Sequence, residues 1–530
     1  MLRKAIVGAI VLSGFSAGAL SAQSTAPTYM EAVAPSVSLT PFLSAGDYVG
    51  SYQISGVPDG VGVFKDGKRL TVLTNHEWSA TNAVAAARNS SGGQTKGAFI
   101  TQLTYNIETR SVVKAKDLTS DVVWYEYSTK TYGTWGSAPS GAAAADAYGT
   151  PNHSSLINRF CSATLAPAGA FYDAKSKLGF EEAVYLTGEE GSDESRAFAV
   201  NMQGQMVQLP AVGLAAWENI VPVPTGSKTT ALMASEDGSA TDSQLWMYVG
   251  QKTKNGQWFE KAGLTNGNAY VLSAVASANV ANDNEIRARY GKGVAIKVGF
   301  SKVDNTLSGK AQNEMARSLG IELSRVEDGH FDPKNPKDFY FVTTESNKDP
   351  KATAPNPATP TVSRDGGALW KLSFADLSNP AKGGTLTMLL DGSEAPYLSK
   401  PDNIAIDDLG NVLIQEDPGN NAQVARVVAY RIKDGKIGVL AKFKDSMFAT
   451  GGAAFITQDE ESSGVVDVTD MLKKGKGDKS HYYMLVAQVH STPALARPDI
   501  AAGNTTLANA VEGGQWYIME VPNWEAVYNQ

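Results

Sequence analysis

The sequence repeats one pattern six times, and this repeat limits the possible folds more than any other feature. In each copy a β-rich run leads into a turn of Asp, Gly, Pro, Asn or Lys residues, and a second β-rich run ends at an acidic residue or a histidine. Residues 404–417, IAIDDLGNVLIQED, form the clearest copy. Because a single hairpin cannot bury its apolar side chains alone, this self-similarity predicts a repeat architecture. The copies end at His76-Glu77, Glu189-Glu190, Glu236-Asp237, Glu345, Glu416-Asp417 and His490.

Further strand candidates lie between these copies and extend each of them to four strands. Four strands in each of six units predict an all-β fold, a six-bladed β-propeller with loop insertions. The 51 glycines and 20 tyrosines among 530 residues are typical of a turn-rich β protein. A β-sandwich with accidentally similar hairpins is the alternative. The additional strand candidates cover 97–109, 195–204, 243–252, 367–376, 425–435 and 515–524.

The N-terminus predicts an export signal. Residues 1–22 combine Arg3 and Lys4 with an apolar stretch and small residues at a cleavage site after Ala19 or Ala22. An anchor helix is the alternative, but the apolar stretch is short and is interrupted by Gly and Ser. No twin arginine is present, so we expect a Sec-type signal and a periplasmic or extracellular protein. A segment 23–44 and one propeller domain over 45–530 would follow.

The charge distribution limits the possible partners. The net charge is −8 and no basic block occurs, which argues against nucleic acid as a partner. No stretch after the signal is long and apolar enough to suggest a membrane span. An acidic protein that handles an anionic substrate needs metal ions or a few well-placed arginines to overcome its own field.

The recurrent acids predict a metal site. In a propeller, equivalent strand ends from every blade face one central mouth, so the acids that end the copies would converge there. Carboxylates held close together raise each other's pKa and cannot all stay ionised without cations. Hard oxygen ligands favour Ca²⁺ or a similar ion. Each acid taken singly could instead be a solvated loop residue.

A few residues narrow the chemistry of that mouth. Cys161 is the single cysteine of the chain. Its thiol could be buried and pack as a small apolar group. It could instead be a thiolate ligand, and a thiolate would suit iron better than calcium. Arg325 and Glu327 share one face if their stretch is extended, and an arginine there could bind phosphate or form a surface ion pair. Asp402 could be a metal ligand or a turn former.

Several common catalytic sites are not indicated. The five histidines show no HxxxH or HExxH spacing, no GxSxG motif occurs, and no Walker or dinucleotide-binding glycine motif is present. The histidines are His76, His153, His330, His481 and His490.

Taken in order, seven segments of the sequence resemble one known family. The segments TNHEW, FCSATL followed by YLTGEE, ASEDG, SRVEDG, KPDNIAIDDLGNVLIQED and AQVHSTP resemble the PhoX-type bacterial alkaline phosphatases over roughly residues 45–520. The resemblance implies a six-bladed propeller with an iron–calcium cluster at its mouth that hydrolyses phosphomonoesters. It therefore implies iron and calcium as cofactors, a small-molecule phosphate ester as substrate and a monomer.

The resemblance also implies roles for individual residues. Cys161 matches the family's iron-ligating cysteine, and Arg325 and Glu327 match its Arg-Pro-Glu motif with Val326 in place of proline. His490 looks like the histidine of a C-terminal Gln-His-Pro motif, although Val489 precedes it and no proline follows. It would position a leaving group or orient a ligand. The implied metal ligands are Cys161, Glu189, Glu190, Glu236, Glu327, Asp402 and Asp417.

Departures from the family pattern leave two other functions open. The family's Trp-Gly-Thr segment after the cysteine is replaced by the longer LAPAGAFYDAKSKLGF, and the absent twin arginine suggests that metal is loaded after export. One alternative is a calcium-dependent lactonase-like hydrolase, because DNIAIDDLGNVLI also resembles gluconolactonase propellers. The other is a non-catalytic binding propeller braced by calcium. Both leave Cys161 and Arg325 without a role.

Overall fold

The computed structural model describes residues 24, 26–79, 96–134, 155–239, 241–276, 278–345, 366–419, 423–501 and 505–529. The expected signal, residues 1–22, and His153 lie outside this described part. The described chain is mostly β, which confirms that element of the predicted fold class. None of its helices is long and apolar enough to cross a lipid bilayer.

Within the described residues, six units each contain four strands, and each strand pairs antiparallel with its neighbour in the sheet. We number these units 1 to 6 by the position of their first strand in the chain. Their strands are Pro58–Asp66, Arg69–His76, Phe99–Asn106 and Ser111–Asp117 in unit 1; Phe160–Ala166, Val184–Glu189, Ala197–Asn201 and Gln205–Gln208 in unit 2; Trp217–Pro222, Thr229–Glu236, Leu245–Gln251 and Asn268–Ala274 in unit 3; Val326–Phe331, Asp338–Thr343, Ala368–Phe374 and Gly384–Asp391 in unit 4; Pro401–Ile406, Asn411–Glu416, Arg426–Arg431 and Ile437–Phe443 in unit 5; and Glu460–Asp467, His481–Val489, Gly513–Val521 and Ser38–Ser44 in unit 6.

The six units are arranged in a closed ring. The first strand of each unit contacts the first strand of the next, and the first strand of unit 6 contacts that of unit 1. A separate cluster of buried apolar side chains fills the space between each pair of neighbouring units. The core is therefore divided into radial layers, because each sheet is apolar on both of its faces.

The N-terminal segment belongs to the sheets. Ser38–Ser44 pairs antiparallel with Gly513–Val521 and supplies the outermost strand of unit 6, while Met30–Ala32 extends unit 5. This corrects the expected domain boundary at residue 45, because the last unit is completed by residues from the start of the chain. Leu43 is fully buried between units 6 and 1.

The remaining elements extend or connect the units. Ile296–Val303 joins the outer strands of units 3 and 4 into a nine-stranded sheet, and Asp121–Glu126 and Thr131–Gly133 extend unit 2. Three short pairs are formed by Tyr48–Val49 with Tyr52–Gln53, Lys96–Gly97 with Leu156–Ile157, and Tyr172–Asp173 with Leu178–Gly179. The described helices are Trp258–Lys261, Asp283–Arg289, Gly309–Leu319, Asp445–Phe448, Thr469–Leu472, Pro493–Ala496, Pro498–Ala501 and Trp524–Tyr528, with 3₁₀ turns at Pro210–Val212, Pro380–Lys382 and Thr505–Ala510.

Candidate metal and phosphate site

One position recurs in all six units and carries five carboxylates and one thiol. It is the second residue of each first strand, and we call these six residues the inner ring. In units 1 to 5 the strand register shifts directly around this residue, so it lies in a β-bulge, a feature that redirects side chains. The inner ring consists of Asp59, Cys161, Glu218, Glu327, Asp402 and Glu461.

A second set of equivalent residues follows the second strand of each unit, and we call it the rim ring. The backbone N–H of each rim residue donates to the carbonyl of the residue that precedes the first strand, at 2.9–3.0 Å. This shared hydrogen bond brings the end of the second strand beside the inner-ring position. The rim ring consists of Glu77, Glu190, Asp237, Thr344, Asp417 and His490.

Three of the six residues that accept these hydrogen bonds are basic, namely Arg159, Arg325 and Lys400. Four of the six have a left-handed backbone, with φ of 51° at Val57, 47° at Arg159, 62° at Arg325 and 45° at Lys400. For residues other than glycine this conformation costs on the order of 1–3 kcal/mol and is found preferentially at functional sites. The same position is occupied by Ala216 in unit 3 and Asp459 in unit 6.

The inner and rim residues form three overlapping groups that could each hold a metal ion. Within each group the potential ligand atoms lie within 4.8 Å of one another. Cys161 belongs to two groups and Glu218 to two, so the groups form a continuous chain across the mouth. The groups are Asp59, Glu77 and Cys161; Cys161, Glu190 and Glu218; and Glu218, Glu327 and Asp402.

The buried negative charge of this cluster favours the binding of cations. Burial raises the pKa values of Asp59, Glu218 and Glu327 well above their usual range, and neighbouring carboxylates raise them further. One carboxylate oxygen of Asp59, Oδ1, is buried and accepts no hydrogen bond within the described chain. Buried, mutually repelling carboxylates with an unused acceptor atom fit a bound metal ion, which supplies the missing charge and ligand contact.

Cys161 lies at the centre of this chain of groups. Its Sγ is 2.9 Å from Oε2 of Glu190, and burial together with nearby carboxylates raises the pKa of the thiol well above its usual value. Burial also raises the pKa of Glu190 to about 8, although Arg159 opposes this change. The described surroundings contain acids rather than the apolar contacts expected of a packing cysteine, so its position favours the ligand interpretation.

Arg325 is fixed at the edge of the cluster. Its Nε and Nη2 each donate to one carboxylate oxygen of Asp237 at 2.7 Å, and its Nη2 lies 3.4 Å from Oε1 of Glu327. This bidentate pair holds the planar guanidinium in one orientation. Since the side chain remains 25% exposed, it is accessible from the mouth.

His490 and Asp417 line one cavity together with Glu461 and Glu512. His490 Nδ1 is 2.8 Å from Oε2 of Glu512, and its Nε2 is 4.0 Å from Oε2 of Glu461. Burial lowers the pKa of His490, but Glu461 and Glu512 raise it more, to well above its usual value. Asp417 lines the cavity that also contains His490, and burial raises the pKa of Asp417.

Two of the expected metal ligands lie elsewhere. Glu189 is the last residue of its strand, and its carboxylate accepts hydrogen bonds from Nε and Nη2 of Arg196 at 2.7 and 2.8 Å in a fully buried ion pair. Glu236 holds the same position in unit 3, and its Oε2 accepts from Nε1 of Trp246 at 2.8 Å. Both acids secure the third strand of their unit and lie outside the three groups that could hold a metal ion. The residues that follow them in the rim ring are Glu190, which the sequence analysis also expects as a ligand, and Asp237.

The expected end of the fourth copy also needs correction. The strand ends at Thr343, whose Oγ1 accepts from Nε1 of Trp370 at 3.0 Å, as Glu236 does from Trp246. Thr344 therefore occupies the rim position in unit 4, and Glu345 is ion-paired with Arg287 away from the inner ring.

Several residues of the site were not predicted from the sequence. Aligning the copies by the end of their second strand indicates the rim acids. It does not show that the second residue of the first strand is also a repeated position, although Glu327 and Asp402 were each predicted there singly. The missed signal is an acid or cysteine as the second residue of a strand, in PDG, FCS, WEN, VED, PDN and EES. The residues not singled out are Asp59, Arg159, Glu218 and Glu461, whereas Glu77 and Asp237 were expected at the mouth only as acids that end copies of the repeat.

Glu189→Gln and Glu190→Gln form a matched pair that tests this division. Replacing Glu189 leaves Arg196 buried without its carboxylate, which should lower the free energy of unfolding by about 3–5 kcal/mol. Replacing Glu190 should lower the bound metal per folded molecule while stability falls less than in Glu189→Gln, because Arg159 is 43% exposed and keeps its second partner, Glu77. Urea denaturation and elemental analysis of the folded fraction measure the two effects, and the reverse assignment of effects would contradict the division.

The chain is similar in sequence and in fold to alkaline phosphatases of one family. The family model described as alkaline phosphatase PhoX matches residues 199–468, which is half of the chain. Pseudomonas fluorescens PhoX, solved in complex with vanadate as a transition-state analogue, is 12% identical with a TM-score of 0.58, over 94% of this chain and 97% of that one.

Two other structures are matched with much lower TM-scores. A luciferin-regenerating enzyme is 9% identical with a TM-score of 0.31, over 88% of this chain and 91% of that one. An α-L-arabinofuranosidase from Podospora anserina is 9% identical with a TM-score of 0.31, over 90% of this chain and 94% of that one.

No curated protein matches the chain by sequence. The family match extends through units 3, 4 and 5 and includes Arg325, Glu327, Asp402 and Asp417 of the site just described. The chain therefore belongs to the PhoX alkaline phosphatase family and is a phosphatase.

Proposed function

We propose that this phosphatase is a metal-dependent phosphomonoesterase that acts as a monomer on small-molecule phosphate esters. The observation that carries the proposal is the inner ring, in which five carboxylates and the single thiol occupy one repeated position beside the fixed guanidinium of Arg325. A cation cluster with an adjacent arginine is suited to a phosphate dianion, because both supply charge where the negative oxygens lie.

We also propose that the six units are the blades of a six-bladed β-propeller and that the inner ring lies at its central mouth. Three features support this arrangement: the four antiparallel strands of each unit, the closed ring of first strands and the apolar cluster between each pair of neighbours. The N-terminal strand that completes unit 6 resembles the way a propeller joins its two chain ends.

Iron and calcium are the cofactors that the ligand types favour. Cys161 with Glu190 and Glu218 would offer a soft thiolate and oxygen ligands to iron, and Glu218, Glu327 and Asp402 would offer only oxygen to calcium. Asp417 extends the oxygen-rich side of the same mouth. When bound, such cations neutralise phosphate oxygens and supply an activated oxygen nucleophile.

The chain's own residues would orient the substrate and stabilise charge. Because Asp237 already fixes the guanidinium of Arg325, this group can stabilise the transferring phosphoryl group without reorganising. His490 has a carboxylate near each ring nitrogen, Glu512 and Glu461. That arrangement favours a role in orienting Glu461 over donation of a proton to a leaving group.

The other two functions are less well supported. A lactonase-like hydrolase or a calcium-braced binding propeller would use the carboxylates but would give no role to two side-chain contacts of the site. These are the Cys161–Glu190 contact and the bidentate Arg325–Asp237 pair.

The activity proposal is tested by comparing substrates. We expect the purified protein to hydrolyse p-nitrophenyl phosphate. Treatment with a chelator should lower the rate at least tenfold, because the carboxylates alone repel a dianion, and restoring metal should recover the rate. Bis(p-nitrophenyl) phosphate and a simple lactone are the comparison substrates. Preferential turnover of the lactone, with no phosphatase activity, would overturn the proposal.

The cofactor proposal is tested at the thiol. We expect Cys161→Ala to lose iron and at least a hundredfold in kcat/KM while it keeps the calcium bound through oxygen ligands. Elemental analysis of the folded variant provides the measurement. Ser162→Ala is a matched control, since it alters a small, buried neighbour on the same strand. Iron content unchanged in Cys161→Ala would exclude the thiolate ligand.

We further propose that residues 1–22 direct Sec-type export to the periplasm or beyond the cell. The mature protein recovered from such a compartment should begin after Ala19 or Ala22. N-terminal sequencing of that protein checks the site, and recovery of the intact N-terminus with the membrane fraction would instead favour an anchor.

A further inference from the structure

Arg159 occupies in unit 2 the position that Arg325 occupies in unit 4. Each arginine directly precedes the first strand of its unit and lies two residues before an inner-ring residue, Cys161 or Glu327. Each has a left-handed backbone, with φ of 47° and 62° respectively. The two arginines are therefore equivalent in the repeat, although their surrounding sequences, NRFCSA and SRVEDG, share little else.

Both guanidinium groups donate through Nε and Nη2 to the rim acid of the preceding unit, Arg325 to two carboxylate oxygens and Arg159 to one. Arg325 binds the rim acid of the preceding unit, Asp237, through Nε and Nη2. Arg159 uses the same two nitrogens to bind the rim acid of its own preceding unit, Glu77, with Nε to Oε1 at 2.6 Å. Its Nη2 also lies 2.8 Å from Oε2 of Glu190. No hydrogen bond from Nη1 of either arginine is found within the described chain.

Arg159 and Arg325 line the wall of one cavity. Unit 3 lies between units 2 and 4 in the ring, and its residue at the equivalent position is Ala216, whose side chain ends at the methyl group. The resulting cavity of about 460 Å³ is lined by Arg159, Ala216 and Arg325, with Glu190 and Asp237 also in its wall. Arg159 remains 43% exposed, so its guanidinium is accessible from this space.

We propose that Arg159 is a second substrate-binding arginine, which contacts the phosphate group from unit 2 while Arg325 contacts it from unit 4. This inference rests on the proposed phosphomonoesterase function. A monoester dianion has three non-bridging oxygens, and two preorientated guanidinium groups can bind them from two sides. Ala216 provides the room for the phosphate between them. A purely structural Arg159 would instead serve only as counter-ion to Glu77 and Glu190.

The experiment compares Arg159→Lys, Arg325→Lys, the double variant and the wild type. Lysine retains the positive charge beside Glu77 and Glu190 but cannot reproduce the two-nitrogen contact. Binding of inorganic phosphate to the metal-loaded proteins is measured by calorimetry, which does not depend on turnover, and metal content is measured on the same samples. Arg289→Lys is the matched control, because this arginine is 44% exposed and has a nearby acid, Glu285, on a helix outside the mouth.

We expect Arg159→Lys to weaken phosphate binding at least tenfold with its metal content unchanged, as Arg325→Lys does. The double variant should deviate from the product of the single effects, because both groups bind one ligand. Phosphate binding within twofold of wild type, or a loss of metal that accounts for the whole effect, would overturn the proposal. A wild type that binds phosphate but hydrolyses no ester would refute the proposed activity and leave the role of Arg159 in binding intact.

Discussion

The concentration of buried negative charge at one end of the ring is the constraint on which the rest of the structure depends. Desolvating several carboxylates side by side is unfavourable by several kcal/mol each unless positive charge is placed among them. Arg159 and Arg325 supply part of this positive charge, because each binds a rim acid. The remaining carboxylates form groups suited to binding cations. The six apolar clusters between units supply the stability that allows such an arrangement to persist. The site is thus maintained by a core that lies outside it.

The repeat assigns separate roles to adjacent acids. Glu189, Glu236 and Glu416 end their second strands and bind side chains at the start of the third strand, Arg196, Trp246 and Arg426. The residues that follow, Glu190, Asp237 and Asp417, belong to the rim ring. Adjacent residues point in different directions because side chains alternate at the end of a strand. One acid of each doublet therefore stabilises the sheet, and its neighbour contributes to the site.

Much of the fold could be predicted from the sequence because alternating apolar runs and turn residues are local signals. The second and third strands of the units were located in this way. Cys161, Glu190, Glu327, Asp402 and Asp417 were instead expected from the single cysteine, the acids that end the copies and the family resemblance. The choice within each acidic doublet could not be made, because Glu189 and Glu190 have the same composition and differ only in direction. Asp59 and Glu218 were missed because a single acid near the start of a strand has no distinctive local pattern, and Glu461 was missed because it lies in a run of three acids, Asp459-Glu460-Glu461. The contribution of residues 38–44 was missed because their partner, Gly513–Val521, lies at the other end of the chain.

The sequence by itself determined the mostly β character, the repeated hairpins and the chemical types gathered in the chain, including the single cysteine and an arginine two residues before an acid. Those properties follow from the order of neighbouring residues and need no long-range contact. Only the tertiary structure decided which residues meet. The bulge in the first strand, the rim hydrogen bond and the closure of the ring bring together groups hundreds of residues apart, such as Asp59 and Glu461. The equivalence of Arg159 and Arg325 has the same origin, because it is defined by register within the repeat.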